Sequence, residues 1–196
     1  MEPQRRPGGR SARVREAVLD ATAAELAEHG YLDLNMEAVA QRAGVHKTTV
    51  YRRWRGPAGL VADALERAVE QPWPIPDTGT LRGDLRALTA LLHSGFDDPE
   101  SAPLATAFVI AGMHDPQAAT ALREFYQARH RDAAVIIDRA IARGELEPTV
   151  NRTEIIRTAV APVFHRLFIT HEPVTTEDLR RAADAATALA HLSLEV

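Results

Sequence analysis

Apolar residues recur along this chain at three- and four-residue steps, with polar residues filling the gaps. Val14, Val18, Ala21 and Leu26 keep that step behind Ser11, a residue able to cap a helix, and Gly30 stands where such a helix would end. Met36, Val39, Ala40 and Ala43 repeat it behind Asn35, a good N-cap, until Gly44 breaks the run. A second short helix is predicted over Lys47–Trp54, closed by Gly56-Pro57, and Pro57 suits the first turn of a further helix near Ala58–Glu70. Gln71–Gly79 contains three prolines and reads as a linker. Beyond it the spacing predicts helices near Thr80–Phe96, Pro103–Met113, Pro116–Arg143, Arg152–His171 and Thr176–Leu194. No stretch alternates with period two over the length of a strand. The expected fold is all-α: an N-terminal three-helix head over residues 11–70 and a larger C-terminal helical body over 80–196.

Composition narrows the function classes. The chain has 196 residues, 45% hydrophobic and 26% charged, too apolar for a disordered polymer. It has no cysteine, which excludes disulfide scaffolds, thiolate zinc sites and cysteine nucleophiles. No apolar run approaches the length of a membrane span, so no membrane association is expected. Residues 1–10 are basic and rich in Pro and Gly, with no apolar segment behind them; they read as a disordered basic arm and not as a secretory signal, which makes the cytoplasm the expected location.

Charge is spread unevenly. The net charge is −4, yet residues 1–60 carry 10 basic and 7 acidic side chains while residues 61–196 carry 13 and 20. A basic amino-terminal part on an acidic remainder points to a polyanion met at one end. From Arg42 to Arg55 there are five basic residues and no acid. This stretch is also where two short predicted helices flank Ala43-Gly44-Val45, the layout of a helix-turn-helix. Gly44 can take the positive φ of a sharp turn. Val39, Ala40, Ala43, Val45, Val50 and Trp54 can share a small core, which leaves Lys47, Thr48, Thr49, Tyr51, Arg52 and Arg53 for contacts. A cationic helix of this size fits a DNA major groove between two phosphate backbones. For Arg52, Arg53 and Arg55 taken alone, an ordinary solvated face is an equal reading.

Gly30-Tyr31, Met36–Ala43, Ala43-Gly44-Val45, Thr48-Thr49-Val50-Tyr51 and Trp54 together resemble the tetracycline-repressor (TetR-type) family of bacterial transcriptional regulators. The resemblance covers residues 11–70; beyond them the chain agrees in length, helicity and the Arg143-Gly144-Glu145-Leu146 link before a late helix pair. It implies a homodimeric, ligand-responsive DNA-binding regulator, a repressor of a pseudo-palindromic double-stranded operator released by a small molecule. Position by position, it implies that Lys47–Arg53 is the recognition helix, with Lys47, Thr48 and Thr49 at bases or nearby phosphates and Tyr51 and Arg52 on phosphate. Asn35 and Met36 would present backbone N–H groups to a phosphate. The chain departs from the pattern at Asn35, where Thr or Ser is usual. It departs again at Gly56-Pro57-Ala58-Gly59, which supplies no cation where the family has a lysine.

The body carries no reaction chemistry: no nucleophile elbow, no Gly-rich phosphate loop, and no enzyme is expected. His165 and His171 stand six apart, off one helical face, so no metal site and no cofactor is expected. Phe96, Phe108, Met113, Phe125, Tyr126, Arg129, His130, Phe164, His165 and Phe168 fall on the middle helices and suit a pocket for an unidentified small-molecule effector. Simple core filling is the competing reading of each aromatic. The helices Arg152–His171 and Thr176–Leu194 are the expected dimer interface, on the apolar residues Ile155, Ile156, Ala159, Val160, Val163 and Leu167 and Leu179, Ala182, Ala183, Ala186, Leu189, Ala190 and Leu192. An intramolecular core is the alternative for those faces. Two rival functions stay open at this point: a non-specific architectural DNA binder, and a helical small-molecule protein with a vestigial head.

Overall fold

The computed structural model describes residues 9–192. The expected basic arm and Leu194 lie outside them, apart from Gly9 and Arg10. Among the described residues there are ten α-helices and no strand. In chain order they are α1 (Arg10–His29), α2 (Met36–Arg42), α3 (Lys47–Trp54), α4 (Pro57–Glu70), α5 (Leu81–Asp97), α6 (Ala102–His114), α7 (Pro116–Ala133), α8 (Val135–Ala142), α9 (Arg152–His165) and α10 (Thr176–His191). A π-helical turn, Arg166–Thr170, follows α9.

The helix ends follow local chemistry. Asn35 caps α2, its side chain accepting from the N–H of Glu37 at 2.8 Å and of Ala38 at 3.3 Å. Gly30 and Gly44 take φ of 75° and 65° at the ends of α1 and in the turn after α2, conformations that favour glycine. Helix α1 begins one residue before Ser11; Gly9 precedes it and Ser11 lies inside the first turn. The long helix expected over Pro116–Arg143 is two, because the Ala134 N–H is shared between the carbonyls of His130 and Arg131 and the ladder tightens there. The helix expected to reach His171 changes pitch after His165. Pro162 has no N–H for the ladder, and the Arg166 N–H is shared between the Pro162 and Val163 carbonyls before the wider turn begins.

The packing forms two units, and they do not follow chain order. The first gathers the described residues up to Gln71 together with Pro99–Phe125; the second gathers Pro72–Asp98 and the described residues from Tyr126 onward. In the first, Val18, Leu26, Val39, Val50, Trp54, Leu60 and Val61 form a buried core with Ala107 and Ala111 of α6. In the second, Leu81, Leu85 and Leu88 of α5 pack with Ile136 and Ile137 of α8, Ile156 and Ala159 of α9, and Ala183 and Ala186 of α10. Pro72–Gly79, part of the expected linker, has no helix but is docked: Trp73 and Ile75 pack on that core, and the Trp73 indole N–H donates to Asp132 at 3.3 Å. The Arg143–Leu146 link is tied to the start of α5 by Glu145, which accepts the Leu81 N–H at 2.8 Å and pairs with Arg143 at 2.6 Å. Burial raises the Glu145 carboxyl, but these donors outweigh it and hold the group below its ordinary range.

Candidate nucleic-acid interface

α2, the Gly44 turn and α3 form a compact pair within the first unit. Val39 and Ala40 from α2 and Val50 and Trp54 from α3 are buried, so the inner faces are spent on the core as the spacing predicts. What remains outside is polar. Asn35, Lys47, Thr48, Tyr51, Arg52 and Arg53 are exposed, Tyr51 at 45%, while Thr49 is half-buried. Met36 is the exception among the expected contacts: its side chain lies in the core, which leaves only its backbone to meet a ligand.

The cations of α3 differ in their partners. Lys47 donates to Glu37 of α2 at 2.9 Å, and that bond raises the ammonium pKa. Among the described residues, Arg52, Arg53 and Arg55 form no ion pair with any carboxylate. Arg53 instead lies over the Trp54 ring, 5.1 Å from its centroid. Arg55 ends the helix with φ 64°, so the left-handed position that usually takes glycine is held here by a cation. At the other end the His46 ring caps α3. Its Nδ1 lies 2.9 Å from the Thr48 hydroxyl and 3.4 Å from the Thr48 N–H.

The frame behind this face is ion-paired. Arg42 binds Glu25 at 3.0 Å and Glu28 at 2.6 Å, fastening α2 to α1 and holding the Glu28 carboxyl below its usual range. Glu25, Glu28 and His29 are close enough together to suggest a metal, but Arg42 already occupies both carboxylates. Behind α3, Asp63 of α4 accepts the Trp54 indole N–H at 2.7 Å and the Arg15 Nε at 2.9 Å. Spacing along the sequence does not reveal the parts played by Glu37, His46 and Asp63. No helical period ties Glu37 to Lys47, ten residues on, or Asp63 to Trp54 and Arg15, 9 and 48 residues back, and His46 is not among the usual capping residues; an Asp on the otherwise apolar run of α4 was the available signal.

The ten expected pocket residues separate. Phe108 and Phe125 pack on the core of the first unit, and Met113 is exposed at 58%. In the second unit Phe96 meets Phe164 and Phe168 edge-on at 5.7 and 5.3 Å, and Tyr126 meets Phe164 edge-on at 5.1 Å. The His130 ring lies 6.4 Å from that of Tyr126. Burial raises the Tyr126 hydroxyl and lowers the His130 imidazole, the latter with help from Arg157, so both polar groups of the cluster favour their neutral forms. Arg129 sits over Trp73, 5.6 Å from the ring centroid, and His165 is exposed.

The apolar faces expected to meet a dimer partner turn inward. Ile155, Ile156, Ala159, Val160, Val163, Leu179, Ala182, Ala183, Ala186 and Ala190 are buried within the second unit. Leu167 and Leu189 are half-buried, and Leu192 is exposed. Amphipathic spacing identifies an apolar face without saying which neighbour covers it; here α9 and α10 cover each other and α5 supplies much of the rest. No helix among the described residues is long and apolar enough to cross a membrane.

Known proteins share this architecture. The profile of bacterial regulatory proteins of the tetR family matches residues 18–64, and that of the tetracyclin repressor-like C-terminal domain matches residues 75–186. The transcriptional regulator AqdR of Rhodococcus erythropolis is 33% identical over 83% of this chain and 77% of that protein. The DNA-binding transcriptional repressor TetR of Mycobacteroides abscessus is 34% identical over 78% of this chain and 82% of that protein. The crystal structure of the TetR family transcription regulator SCO0332 superposes with a TM-score of 0.69 at 32% identity, over 90% of this chain and 97% of that one. With the helix-turn-helix exposed and its relatives named as regulators rather than enzymes, the chain belongs to the TetR family of DNA-binding transcriptional regulators.

Proposed function

We propose that this protein is a cytoplasmic repressor that binds a pseudo-palindromic operator as a homodimer and is released by a small molecule. The observation that carries the DNA-facing part is the outer surface of α3, where Arg52, Arg53 and Arg55 are exposed and have no carboxylate partner among the described residues. Lys47, Thr48 and Thr49 would face base edges, and Tyr51, Arg52 and Arg53 the phosphates, with the backbone at Asn35 and Met36 on the flanking strand. Two such helices, one per protomer, fit major grooves about one helical turn apart. Residues 11–70 form the DNA-binding part in this reading, with 80–196 as the effector and dimer part.

The partner-facing surface is the outer side of the last two helices. Ala161 and His165 of α9 and Ile169 of the π-helical turn recur every four residues there, and Ala185 and Ala188 line α10 with Leu192 just past its end; all six are exposed. Small side chains let helices from two protomers approach closely. A groove of about 250 Å³ between Pro162, Arg166, Val174, Asp178, Arg181 and Ala185 belongs to the same region. The aromatic cluster of Phe96, Tyr126, Phe164 and Phe168 with His130 supports an effector site with apolar walls and neutral polar groups. An effector releases DNA only through unequal affinity for two conformations, so it must bind the DNA-incompetent one more tightly.

The test is a retardation assay on a duplex enriched from a random pool by the wild-type protein, against a scrambled duplex. Tyr51→Phe with Arg52→Ala should weaken binding to the enriched duplex about 100-fold and flatten its salt dependence, at an unchanged melting temperature. Equal affinity for both duplexes at physiological salt would favour an architectural DNA binder and end the operator reading. Sedimentation of Ala188→Arg, expected as a monomer, checks the dimer surface.

A further inference from the structure

Behind the recognition helix lies a chain of contacts that the DNA-binding reading does not itself use. Asp63 on α4 is only slightly exposed, its side chain at 15%, and uses its two oxygens separately. Oδ2 accepts the Trp54 indole N–H at 2.7 Å. Oδ1 accepts Nε of Arg15, from α1, at 2.9 Å, and Nη2 at 2.5 Å. Trp54 is the last residue of α3 and is 5% exposed, so its ring has one orientation in the core. On that ring lies the guanidinium of Arg53, 5.1 Å from the centroid. One carboxylate, 15% exposed, therefore fixes the platform on which an exposed cation of α3 rests.

We infer that Asp63 is a positioning residue for DNA binding: by holding the Trp54 indole, it places the Arg53 guanidinium before DNA arrives. The inference rests on the reading of Arg53 as a phosphate contact. An arginine side chain has several free rotors, and ordering them on binding weakens the complex. A guanidinium already stacked on a fixed ring loses less freedom when it meets a phosphate. Arg15 completes the arrangement. It neutralises Asp63, so the carboxylate beside the DNA-facing helix does not repel the phosphates, and it draws α1 into the same clamp.

Charge alone predicts the opposite sign, which makes the inference testable. Removing a carboxylate near a DNA-binding face should strengthen binding if Asp63 mattered only through its charge. The inference predicts that Asp63→Ala weakens binding to the enriched duplex about tenfold. Trp54→Phe, which keeps an aromatic core but lacks the N–H, should weaken it to a similar degree. Both proteins are compared with wild type by circular-dichroism melting, and affinities are read at a temperature where all are folded.

The deciding experiment is a double-mutant cycle of Asp63→Ala with Arg53→Ala on the full chain. If Asp63 acts through Arg53, its substitution changes affinity by less than twofold once Arg53 is alanine. Arg53→Ala alone should weaken binding and lower the salt slope by about 0.9 for each phosphate that the guanidinium neutralises. If Arg53→Ala leaves affinity unchanged, the phosphate-contact reading of that residue is wrong. If Arg53→Ala weakens binding but Asp63→Ala does not, or if the two effects simply add, the positioning role is wrong and Asp63 serves the fold alone.

Discussion

Helices α3 and α10 can be superposed in register, and they treat the same charged residues in opposite ways. Each starts from a side-chain cap, His46 for α3 and Thr175 for α10. Each carries an arginine six positions after its cap, Arg52 in one and Arg181 in the other, and each buries a stripe of apolar residues behind it. The difference is at the second helical position. In α10 that position is Glu177, which binds Arg180 at 2.5 Å and Arg181 at 3.0 Å, while Asp184 takes Arg180 at 3.1 Å and Arg86 at 2.9 Å. In α3 it is Thr48, and the helix has no carboxylate anywhere in its length. The arginines of α10 are closed onto carboxylates of their own helix; Arg52 and Arg53 of α3 are open. A run of cations thus distinguishes a solvated face from a binding face by whether acids stand three or four residues away.

The sharpest way to break the comparison is to close α3. Thr48→Glu puts a carboxylate one turn before Arg52, as Glu177 stands before Arg181. We expect affinity for the enriched duplex to fall at least about 100-fold, since one cation is neutralised and an anion then faces phosphate. Folding should be unchanged or gain roughly 0.3–0.5 kcal/mol from the new pair and the helix dipole. Urea denaturation beside the retardation assay checks both. Undiminished binding would show that Arg52 is not a DNA contact.

A second comparison concerns two helical glycines. A methyl group at Gly59, in the first turn of α4, would collide with the backbone carbonyl of Trp54. At Gly95 on α5 it would meet nothing within 4 Å. Gly59→Ala should cost about 1–3 kcal/mol by forcing α4 away from the end of α3, although alanine is the better helix former. Gly95→Ala should stabilise by about 0.5–1 kcal/mol. Urea unfolding midpoints measure both, and equal shifts would mean that α3 and α4 are not in close approach.

Much of this molecule is legible from short-range rules, because those rules act within one turn. Asn35, Gly30 and Gly44 mark helix ends through their own side chains or lack of one, and α3 is readable from Lys47 to Trp54 without an error of boundary. The exposed outer face of α3 follows from the same spacing, since Val50 and Trp54 claim the inner face. What spacing cannot give is the neighbour. It marks the apolar stripes of α9 and α10 but not that they pack on each other and on α5; it reads three prolines as a linker but not that Trp73 docks. The clamp of Asp63 with Trp54 and Arg15 joins residues 9 and 48 apart in sequence, beyond any helical period. The Phe residues of the body are alike in sequence, yet Phe125 belongs to one core while Phe164 meets Phe96 in another.

The caps give a smaller effect that separates function from stability. Asn35→Ala and Thr175→Ala each remove a side-chain acceptor from a helix start, and each should cost about 1 kcal/mol. Only Asn35→Ala should also weaken DNA binding, because α2 positions the turn and the start of α3. A parallel loss of affinity in Thr175→Ala would mean that the difference between the two helices is not local to their faces.

The smallest expected effect is a response to acid in the first turn of α10. The hydrogen bonds from Arg180 and then Arg181 draw the Glu177 carboxyl from 4.5 to about 2. Asp178 is lowered as well, by the Thr175 hydroxyl and N–H of the capping box and then by Arg166. A carboxylate whose pKa is lower folded than unfolded stabilises the fold fully above its unfolded value. That stabilisation fades as pH falls through the folded value. For Glu177 the window runs from about 4.5 down to about 2. Helix α3, with no carboxylate in its length, has no counterpart titration there. Amide exchange, expressed as protection factors, should therefore show the first turn of α10 loosening across this window, and Glu177→Gln should show that looser turn already at about pH 5, above the range where the wild-type carboxylate titrates. The exposed position of Glu177 keeps the change small, since exposed pairs are screened by solvent and salt. If the first turn of α10 held its protection down to about pH 2, or if Glu177→Gln left it unchanged above the window, the closed network that sets α10 apart from α3 would not exist in solution.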